Sequence, residues 1–329
     1  MSRNGRVRLA VVGCGAVVER CHAPALRRIK DVEVCALVDQ NPRQLRRVGR
    51  RQPGARLCRD LGELPSDTDA ALVAVPNALH APVTVGLLRR GIHVLSEKPL
   101  ATTVDAAAEM LRVASDARVV LLVGHHKRFV SSVQAAKQLL DAGRLGRLRE
   151  ISGSMGMPRA WQTRSGFHRD PALAGRGVLM DNGVHLIDLV LWLLGHIEVR
   201  ACCTLPEGAV IEEEAKLEFA TGAGAVGVLR LSHRRTLPNV LRIEGEAGFV
   251  QLDTFDYPSL KFFSQTAPLC RSSGSMLFEC DRADPYERQL EHFVRCVRGN
   301  EPRPVNSGED GLRTITVLAA AYRRAGSTR

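Results

Sequence analysis

The chain is poor in aromatic side chains, which make up 4% of its 329 residues. A surface that stacks single-stranded bases needs such rings. No helix-turn-helix or RNA-binding motif occurs either, so we expect no nucleic-acid partner. Lysine is also scarce and occurs only at positions 30, 98, 127, 137, 216 and 261, so arginine carries most of the positive charge. A lysine within a recognisable motif is therefore informative.

Long hydrophobic runs are absent as well. No stretch reaches the roughly 18 uninterrupted apolar residues that a membrane-spanning helix needs. The most apolar stretch, 177–195, contains Asp181, Asn182, His185 and Asp188. The N-terminal apolar run is short and alternates like a strand, unlike the core of a signal peptide. We therefore expect a cytoplasmic protein without membrane contact.

The nine cysteines follow no recognised spacing, and no CxxC pair occurs. Zinc sites and disulfide frameworks use recurring spacings, so we expect reduced thiols and no metal. A formal net charge of +11 favours anionic ligands, such as a cofactor pyrophosphate or a nucleotide sugar. The arginine- and alanine-rich composition is typical of an actinobacterial genome and is compatible with a role in antibiotic biosynthesis.

The first part of the chain alternates strand and helix patterns. Apolar runs at 7–13, 32–39, 70–76, 92–99 and 119–126 are separated by helical segments. Continuous apolar strands that alternate with helices predict a parallel sheet covered on both faces.

The pattern changes after about residue 125. Short alternating strands over 197–264 predict an antiparallel sheet with one open face. Helical patterns accompany it at 130–141, 179–194, 285–298 and 308–325. The sequence thus predicts an α/β protein with two domains, 1–125 and 126–329, and the C-terminal helix is free to pack back on the first domain.

A glycine-rich turn follows the first predicted strand. In "VVGCGAVV", Gly13 and Gly15 occupy the first two glycine positions of a dinucleotide fingerprint, whereas Val18 occupies the third. The first two glycines allow the tight turn and the close approach of a pyrophosphate to a helix N-terminus. The third glycine serves packing, so Val18 does not exclude a cofactor. Asp39, about 21 residues past Val18, has the spacing of a ribose-binding acid.

Asp39 also bears on which cofactor binds. A carboxylate at this position accepts hydrogen bonds from both ribose hydroxyls and repels a 2′-phosphate. This favours NAD. Arg43 and Arg46 follow closely and leave NADP open.

Four stretches taken together resemble the Gfo/Idh/MocA family of sugar dehydrogenases. They are "VVGCGAVVERCHAPAL", "VPNALHAPVTVGLLRRGIHVLSEKPLATTVDAAAEML", "GHHKRF" and "GVLMDNGVHLIDLVLWLLG", and they occur in this order over most of the chain. The resemblance implies an N-terminal Rossmann domain and a C-terminal α/β domain with an open-faced antiparallel sheet. Family members often use that sheet for oligomer contacts, so a homodimer or homotetramer is expected.

Hydride transfer from a carbinol needs a proton acceptor and a group that stabilises the developing alkoxide. Lys98, in "SEKPL", ends a predicted strand, and a lysine can lose its proton whereas an arginine cannot. Asp181 and His185 are four residues apart, a spacing that places both on one helix face. The resemblance implies that Lys98, Asp181 and His185 form the catalytic constellation. We interpret His185 as the general base and Lys98 as the polarising group, and exchanged roles remain open.

Further site residues are implied by the same resemblance. The residues expected at the cofactor are Gly13, Gly15, Ala16, Val17, Asp39, Pro76, Asn77, His80, Glu97 and Lys98. The residues expected at the substrate, besides the three catalytic ones, are Lys127, Arg128, Trp161, Arg164 and His168. Structural packing explains Arg128 equally well, and plain solvation explains the last three equally well.

The sequence thus predicts an NAD(P)-dependent oxidoreductase. It would act on a secondary hydroxyl or a ketone of a sugar, cyclitol, aminosugar or nucleotide sugar. Two alternatives remain open. One is a lyase or glycosidase that oxidises transiently and retains its cofactor, and the other is a non-catalytic dinucleotide sensor.

Overall fold

The structure is a computed structural model that describes residues 5–158, 165–255, 259–265 and 276–326. Its strands are β1 (Val7–Val12), β2 (Val32–Val38), β3 (Arg56–Cys58), β4 (Ala70–Val73), β5 (His93–Ser96), β6 (Leu121–Val123), β7 (Leu148–Gly156), β8 (Ile197–Leu205), β9 (Glu214–Thr221), β10 (Val226–Ser232), β11 (Val240–Gly245), β12 (Gly248–Asp253), β13 (Ser259–Ser264) and β14 (Met276–Glu279). Its α-helices are α1 (Ala23–Leu26), α2 (Pro42–Gly49), α3 (His80–Leu88), α4 (Val104–Ala117), α5 (Ser131–Asp141), α6 (Pro171–Ala174), α7 (Val184–Leu194), α8 (Pro285–Val297) and α9 (Gly308–Gly326).

Shorter helical turns complete the list of elements. Two are π-helical, Val18–His22 and Leu179–Gly183. Others have 3-10 geometry, namely Leu61–Glu63, Asn77–Leu79, His126–Phe129 and Phe167–Arg169.

The chain divides into two compact units, and each unit combines several chain segments. The first unit takes the described residues within 1–126, 162–175 and 284–315. The second takes those within 127–161, 176–283 and 316–329.

The first unit contains a parallel sheet in the order β3-β2-β1-β4-β5-β6. Every neighbouring pair in this sheet runs parallel. The predicted parallel sheet is therefore confirmed. Its order reverses between β1 and β4, which is where doubly wound sheets bind their ligands, beyond the carboxyl ends of the strands.

Alternate residues of β1 supply two separate cores. Leu9 and Val11 belong to one buried cluster, which also contains Leu290 and Phe293 of α8. Ala10 and Val12 belong to a second cluster on the other side of the sheet. Since successive side chains of a strand point to opposite faces, burial on both faces explains why the strand reads as a continuous apolar run.

Local signals set several helix ends in this unit. The Thr103 side chain accepts a hydrogen bond from the Ala106 N–H and so caps α4. Asn41 caps α2 in the same way through the Arg43 N–H. The sequence patterns did not predict α2 or the three-residue β3.

The second unit contains a sheet that, over the described residues, has the order β14-β13-β12-β11-β7-β10-β9-β8. Its neighbouring strands are antiparallel except for the parallel pair β7 and β10. Helix α5 contacts β12 and β13, and α7 contacts β7.

Burial alternates along the strands of this second sheet. In β9, Ala215, Leu217 and Phe219 are buried, whereas the intervening Lys216 and Glu218 are partly exposed. This alternation is typical of a sheet with one covered and one open face. The predicted α/β class, with a Rossmann-type domain and a mostly antiparallel sheet, is confirmed.

One helical stretch, Pro171–Leu194, is long and apolar enough to pass a length-and-composition test for a membrane span. About two thirds (67%) of its most apolar window is buried inside the protein, as expected for a core helix of a soluble protein. The signal is therefore weak.

Candidate functional site

The glycine turn directly follows β1. Gly13 has a φ of +92°, and its N–H donates to the Val38 carbonyl over 2.8 Å. A Cβ at this position would lie 2.3 Å from the Ala74 carbonyl oxygen, so no larger residue fits. A Cβ at Gly15 would meet nothing within 4 Å. The first glycine is thus required by the protein itself, whereas the second leaves open space at the start of the next helix, where a pyrophosphate fits.

In the helical segment after the turn, Val18 takes the place of the third glycine of the fingerprint. Val18 is fully buried and packs in the same cluster as Val11 and Cys14. Ala16 is buried, and Val17 packs against that cluster from a partly buried position. A valine therefore supplies packing here without occupying the open side of the turn.

Asp39 directly follows β2. Its Oδ2 accepts a hydrogen bond from the Cys14 N–H, and its Oδ1 accepts one from the Asn41 N–H, both over 2.7 Å. The two backbone donors hold the carboxylate beside the glycine turn. Each carboxylate oxygen keeps a further lone pair, so Asp39 is able to accept ribose hydroxyls.

Pro76 and Asn77 begin the turn that leads into α3. The Asn77 side chain is buried, and its Nδ2 donates to the Ala174 carbonyl over 3.0 Å. His80 is also buried, with Nδ1 2.6 Å from the Pro99 carbonyl oxygen and Nε2 2.9 Å from that of Val75. Burial lowers the pKa of His80, although the two carbonyls oppose that shift. The two carbonyl partners of His80 follow β5 and β4, whereas the partner of Asn77 is the last residue of α6.

Lys98 stands two residues after β5, at the carboxyl end of the parallel sheet. It is half-buried, and its backbone N–H donates to Glu97 Oε2 over 3.1 Å. The Lys98–Pro99 peptide bond is cis. The lysine is thus located at the end of the sheet where doubly wound folds carry their reactive groups.

Glu97 is buried, and its Oε1 accepts a hydrogen bond from His22 Nε2 over 2.7 Å. Burial by itself raises the pKa of this carboxyl. The hydrogen bond from His22 and the electrostatic attraction of His22, His126 and Lys98 outweigh burial and lower the pKa of Glu97 to about 2. Glu97 is therefore an anion throughout the working pH range.

Asp181 and His185 belong to the second unit. Asp181 lies in the π-helical turn, His185 lies in the first turn of α7, and both are half-buried. Gly183 lies between them in the chain. A Cβ at this position would lie 2.8 Å from Leu231 Cδ1, so a glycine allows the turn to pack closely against β10. Asp181 Oδ2 is 3.6 Å from Nε2 of His233, a buried residue that directly follows β10.

Lys127 and Arg128 are buried in the second unit. The Lys127 Nζ donates to the Thr254 carbonyl over 2.7 Å. The Arg128 guanidinium pairs with the Asp188 carboxylate, with an Nη2 to Oδ1 distance of 2.6 Å, and lies over the Trp192 ring. All of these described partners are protein groups. For Arg128, they agree with the structural packing given above as an alternative to substrate binding.

The remaining predicted substrate residues fall in the arginine-rich loop. His168 is half-buried, with its ring centroid 3.8 Å from that of Phe167. Trp161 and Arg164 lie outside the described residues. In the part of the chain that the structure describes, no group of three or more His, Cys, Asp or Glu is arranged to hold a metal ion.

Sequence reasoning missed His22, Gly124, Tyr286 and His233. His22 lies four residues after Val18, on the buried side of its helical segment, and that periodicity is a usable signal. Tyr286 lies in the helix predicted over 285–298, but the helical pattern assigns it no further role. The contacts of His22 and Tyr286 join residues that are far apart in the chain, so no local pattern reveals them.

A parallel sheet of this order, with a glycine turn after its first strand and a carboxylate after its second, defines a Rossmann-type dinucleotide-binding domain. A family model described as "Oxidoreductase family, NAD-binding Rossmann fold" matches residues 7–125. A second, the GFO/IDH/MocA C-terminal domain, matches residues 133–251. The chain belongs to the Gfo/Idh/MocA family of oxidoreductases and has its NAD-binding domain.

Curated relatives align over almost the whole chain. D-apiose dehydrogenase of Paraburkholderia graminis is 27% identical, over 96% of this chain and 87% of the relative. Inositol 2-dehydrogenase of Rhizobium meliloti is 25% identical, over 96% of each chain. dTDP-3,4-didehydro-2,6-dideoxy-alpha-D-glucose 3-reductase of Actinomadura kijaniata is 27% identical, over 95% of this chain and 94% of the relative.

Solved structures share the fold over the whole chain. The WlbA dehydrogenase of Bordetella pertussis, in complex with NADH and UDP-GlcNAcA, superposes with a TM-score of 0.86 at 22% identity and covers 100% of this chain and 98% of its own. KijD10, a 3-ketoreductase of Actinomadura kijaniata in complex with NADP and TDP-benzene, gives 0.85 at 23% identity, over 97% and 98%.

Proposed function

We propose that the protein is an NAD-dependent dehydrogenase or reductase of a sugar, cyclitol, aminosugar or nucleotide sugar. The observation that carries this proposal is Lys98, placed after β5 in the NAD-binding domain of a sugar-dehydrogenase family. By their names, the relatives reported above act on D-apiose, inositol and a dTDP-linked sugar. The net charge of +11 favours the anionic member of this group, a nucleotide sugar.

Bound NAD supplies the hydride acceptor. We propose that His185 takes the proton of the substrate hydroxyl and that Asp181 orients the imidazole and binds a neighbouring hydroxyl. The ammonium of Lys98 polarises the reacting oxygen. In the reduction direction, His185 returns the proton to the same oxygen. Such positioned proton transfer contributes roughly 100- to 10,000-fold to the rate.

The Asp39 carboxylate supports NAD as the preferred cofactor. Its position is fixed by the Cys14 and Asn41 N–H groups, so it cannot swing away from a 2′-phosphate without losing two hydrogen bonds. Arg43 and Arg46 are exposed on α2 and give NADP a weaker, secondary route.

A substrate panel tests the proposal. Purified protein is mixed with sugars, inositols, aminosugars and nucleotide sugars in the presence of NAD or NADP, and the absorbance of the reduced nicotinamide is followed. We expect turnover with at least one class, with NAD preferred. Protein that retains NAD through purification but reduces it with no substrate would instead point to a lyase or glycosidase with internal redox chemistry.

Variants then test the assigned residues. Lys98→Met and His185→Asn should each lower kcat by about 100-fold or more, the usual contribution of a positioned acid–base group. Lys261→Met is the matched control, because this lysine is exposed on β13. Full kcat in Lys98→Met would contradict the role proposed for this lysine.

We also propose that the protein is a cytoplasmic homodimer or homotetramer with a role in biosynthesis. The half-exposed face of the second sheet, with Lys216, Glu218 and Arg242, offers a broad polar surface for a second copy. No disulfide joins the cysteines in the described residues, as in a reducing compartment. Light scattering after size exclusion measures the subunit number.

A further inference from the structure

The Glu97 carboxylate lies in a space formed by residues from distant parts of the first unit. His22 donates to Oε1, and the Lys98 N–H donates to Oε2. Gly124 leaves the room for this carboxylate, since a Cβ there would lie 2.9 Å from both Oε2 and Cα of Glu97. The backbone of Gly124 is itself held by its N–H bond to the Ser96 carbonyl, over 2.7 Å.

Aromatic packing fixes the histidines around this carboxylate. The Tyr286 ring of α8 meets His22 edge-on, with centroids 5.0 Å apart, and stacks on His126 at 4.4 Å. His22 is fully buried, and His126 is 5% exposed. The imidazole that binds Glu97 is thus held in one orientation by the protein.

Water contributes little to stabilising the charge of the Glu97 carboxylate. Glu97 is only 7% exposed, so its charge is balanced by the groups around it rather than by water. Among those groups is Lys98, one residue along the chain, whose positive charge favours the anionic carboxylate. The same attraction acts in return on the lysine ammonium.

We propose that Glu97 is the positioning residue for Lys98, and that His22 holds Glu97 in place for that purpose. The carboxylate fixes the peptide N–H of Lys98 and places a negative charge beside its ammonium. This assignment rests on the proposed function, in which Lys98 meets the substrate oxygen. It differs from the expectation that Glu97 binds the cofactor.

Three variants separate these roles. Glu97→Gln keeps the size and removes the charge. His22→Phe removes the donor, whereas His22→Gln retains an N–H donor. We measure kcat with a substrate from the panel, NADH affinity by nicotinamide fluorescence, and the melting temperature. Amidination of Lys98, followed by mass spectrometry, reports on the lysine without any substrate.

A positioning role predicts a specific pattern. Glu97→Gln and His22→Phe should lower kcat by about 100-fold, the effect of misplacing a reacting group by about 1 Å, with NADH affinity unchanged. His22→Gln should recover much of that loss. The amidination rate of Lys98 should change in Glu97→Gln, because the lysine loses the neighbouring negative charge.

His292→Gln is the matched control. His292 is a buried histidine of α8 with a carboxylate, Glu301, 3.9 Å from its Nδ1. Its loss should lower the melting temperature but leave kcat and the amidination of Lys98 unchanged.

Other outcomes overturn the proposal. If Glu97→Gln weakens NADH binding and leaves kcat intact, Glu97 is a cofactor ligand. If Glu97→Gln changes only the melting temperature, as His292→Gln does, its role is structural. If the wild type turns over no substrate, the proposed function fails, and an unchanged amidination rate in Glu97→Gln then separately rejects the positioning role.

Discussion

The two glycines of the first turn differ in whether a side chain would fit in their place. Gly13 combines a positive φ with a carbonyl 2.3 Å from any Cβ, whereas Gly15 faces open space. Gly13→Ala should therefore destabilise the protein by about 2–4 kcal/mol through strain and overpacking, as measured by urea unfolding. Gly15→Ala should keep the stability and weaken NADH binding, measured by fluorescence titration. Equal stability losses in the two variants would contradict this account.

A single charge at the end of β2 should control cofactor choice. Asp39→Asn keeps the size of the side chain but removes the charge that repels a 2′-phosphate. We expect the NADH-to-NADPH affinity ratio to fall about 10-fold or more, consistent with the loss of one charge interaction of roughly 1.4 kcal/mol. Fluorescence titration with each cofactor measures this ratio. Asp60→Asn, at the similar turn that follows β3, is the control and should leave the ratio unchanged.

Residue-level prediction works where chemistry and spacing coincide. Gly13 and Asp39 were identified from their positions after a predicted strand, and the structure gives each a local role. His22 and His233 escaped notice because their partners, Glu97 and Asp181, are tens of residues away. A contact of that kind depends on the tertiary fold, which a local pattern does not contain.

At the scale of elements, α7 depends on a buried ion pair. Arg128 and Asp188 are each about 2% exposed in their side chains. Arg128→Met removes the cation that pairs with the buried Asp188 carboxylate, so we expect a loss of about 3–5 kcal/mol in the free energy of unfolding. The double variant Arg128→Met with Asp188→Leu should recover most of that loss. Urea unfolding of the three proteins checks this, and a double variant as unstable as the single one would contradict it.

Long periodic elements were predicted well, and irregular ones were not. Helices α8 and α9 lie within a residue or two of their predicted ranges. The helical segment expected between the first two strands is instead a π-helical turn, Val18–His22, followed by the short α1. A π-turn forms when the Ala23 N–H bonds to the Val18 carbonyl five residues back, a spacing that the 3.6-residue period does not reveal.

For the whole molecule, acid should act in two steps. Burial lowers the pKa of His80, His93 and His292, so the unfolded chain binds more protons, and stability falls as the pH drops through the ordinary histidine value of 6.5. Glu97 has its pKa lowered from 4.5 to about 2, so its contribution is full above about 4.5 and is lost as the pH falls towards 2.

The second step has a direct test in the Glu97→Gln variant. The free energy of unfolding should fall in the wild type by on the order of 3 kcal/mol more than in the variant between neutral pH and about pH 2. Urea unfolding across this range measures the difference. Parallel curves for the two proteins would show that Glu97 contributes nothing to acid stability.

It is harder to predict from the sequence which chain segments form each unit than to predict the two sheets. The alternation of strands and helices predicted the parallel sheet. However, the first unit also takes residues within 162–175 and 284–315. Leu290 and Phe293 belong there because they cover the face of β1 that carries Leu9 and Val11. Their own pattern shows an apolar stripe but not which sheet that stripe will meet.

Because the first unit combines segments that are far apart in the chain, its assembly depends on how far synthesis on the ribosome has proceeded. Translation must continue past residue 284 before α8 and Tyr286 are available to cover β1 and His22. Until then the nascent polypeptide exposes the part of this apolar face that α8 covers, which makes it a natural client for chaperones. A message truncated before codon 284 should therefore yield an aggregation-prone product, even though it encodes every strand of that sheet.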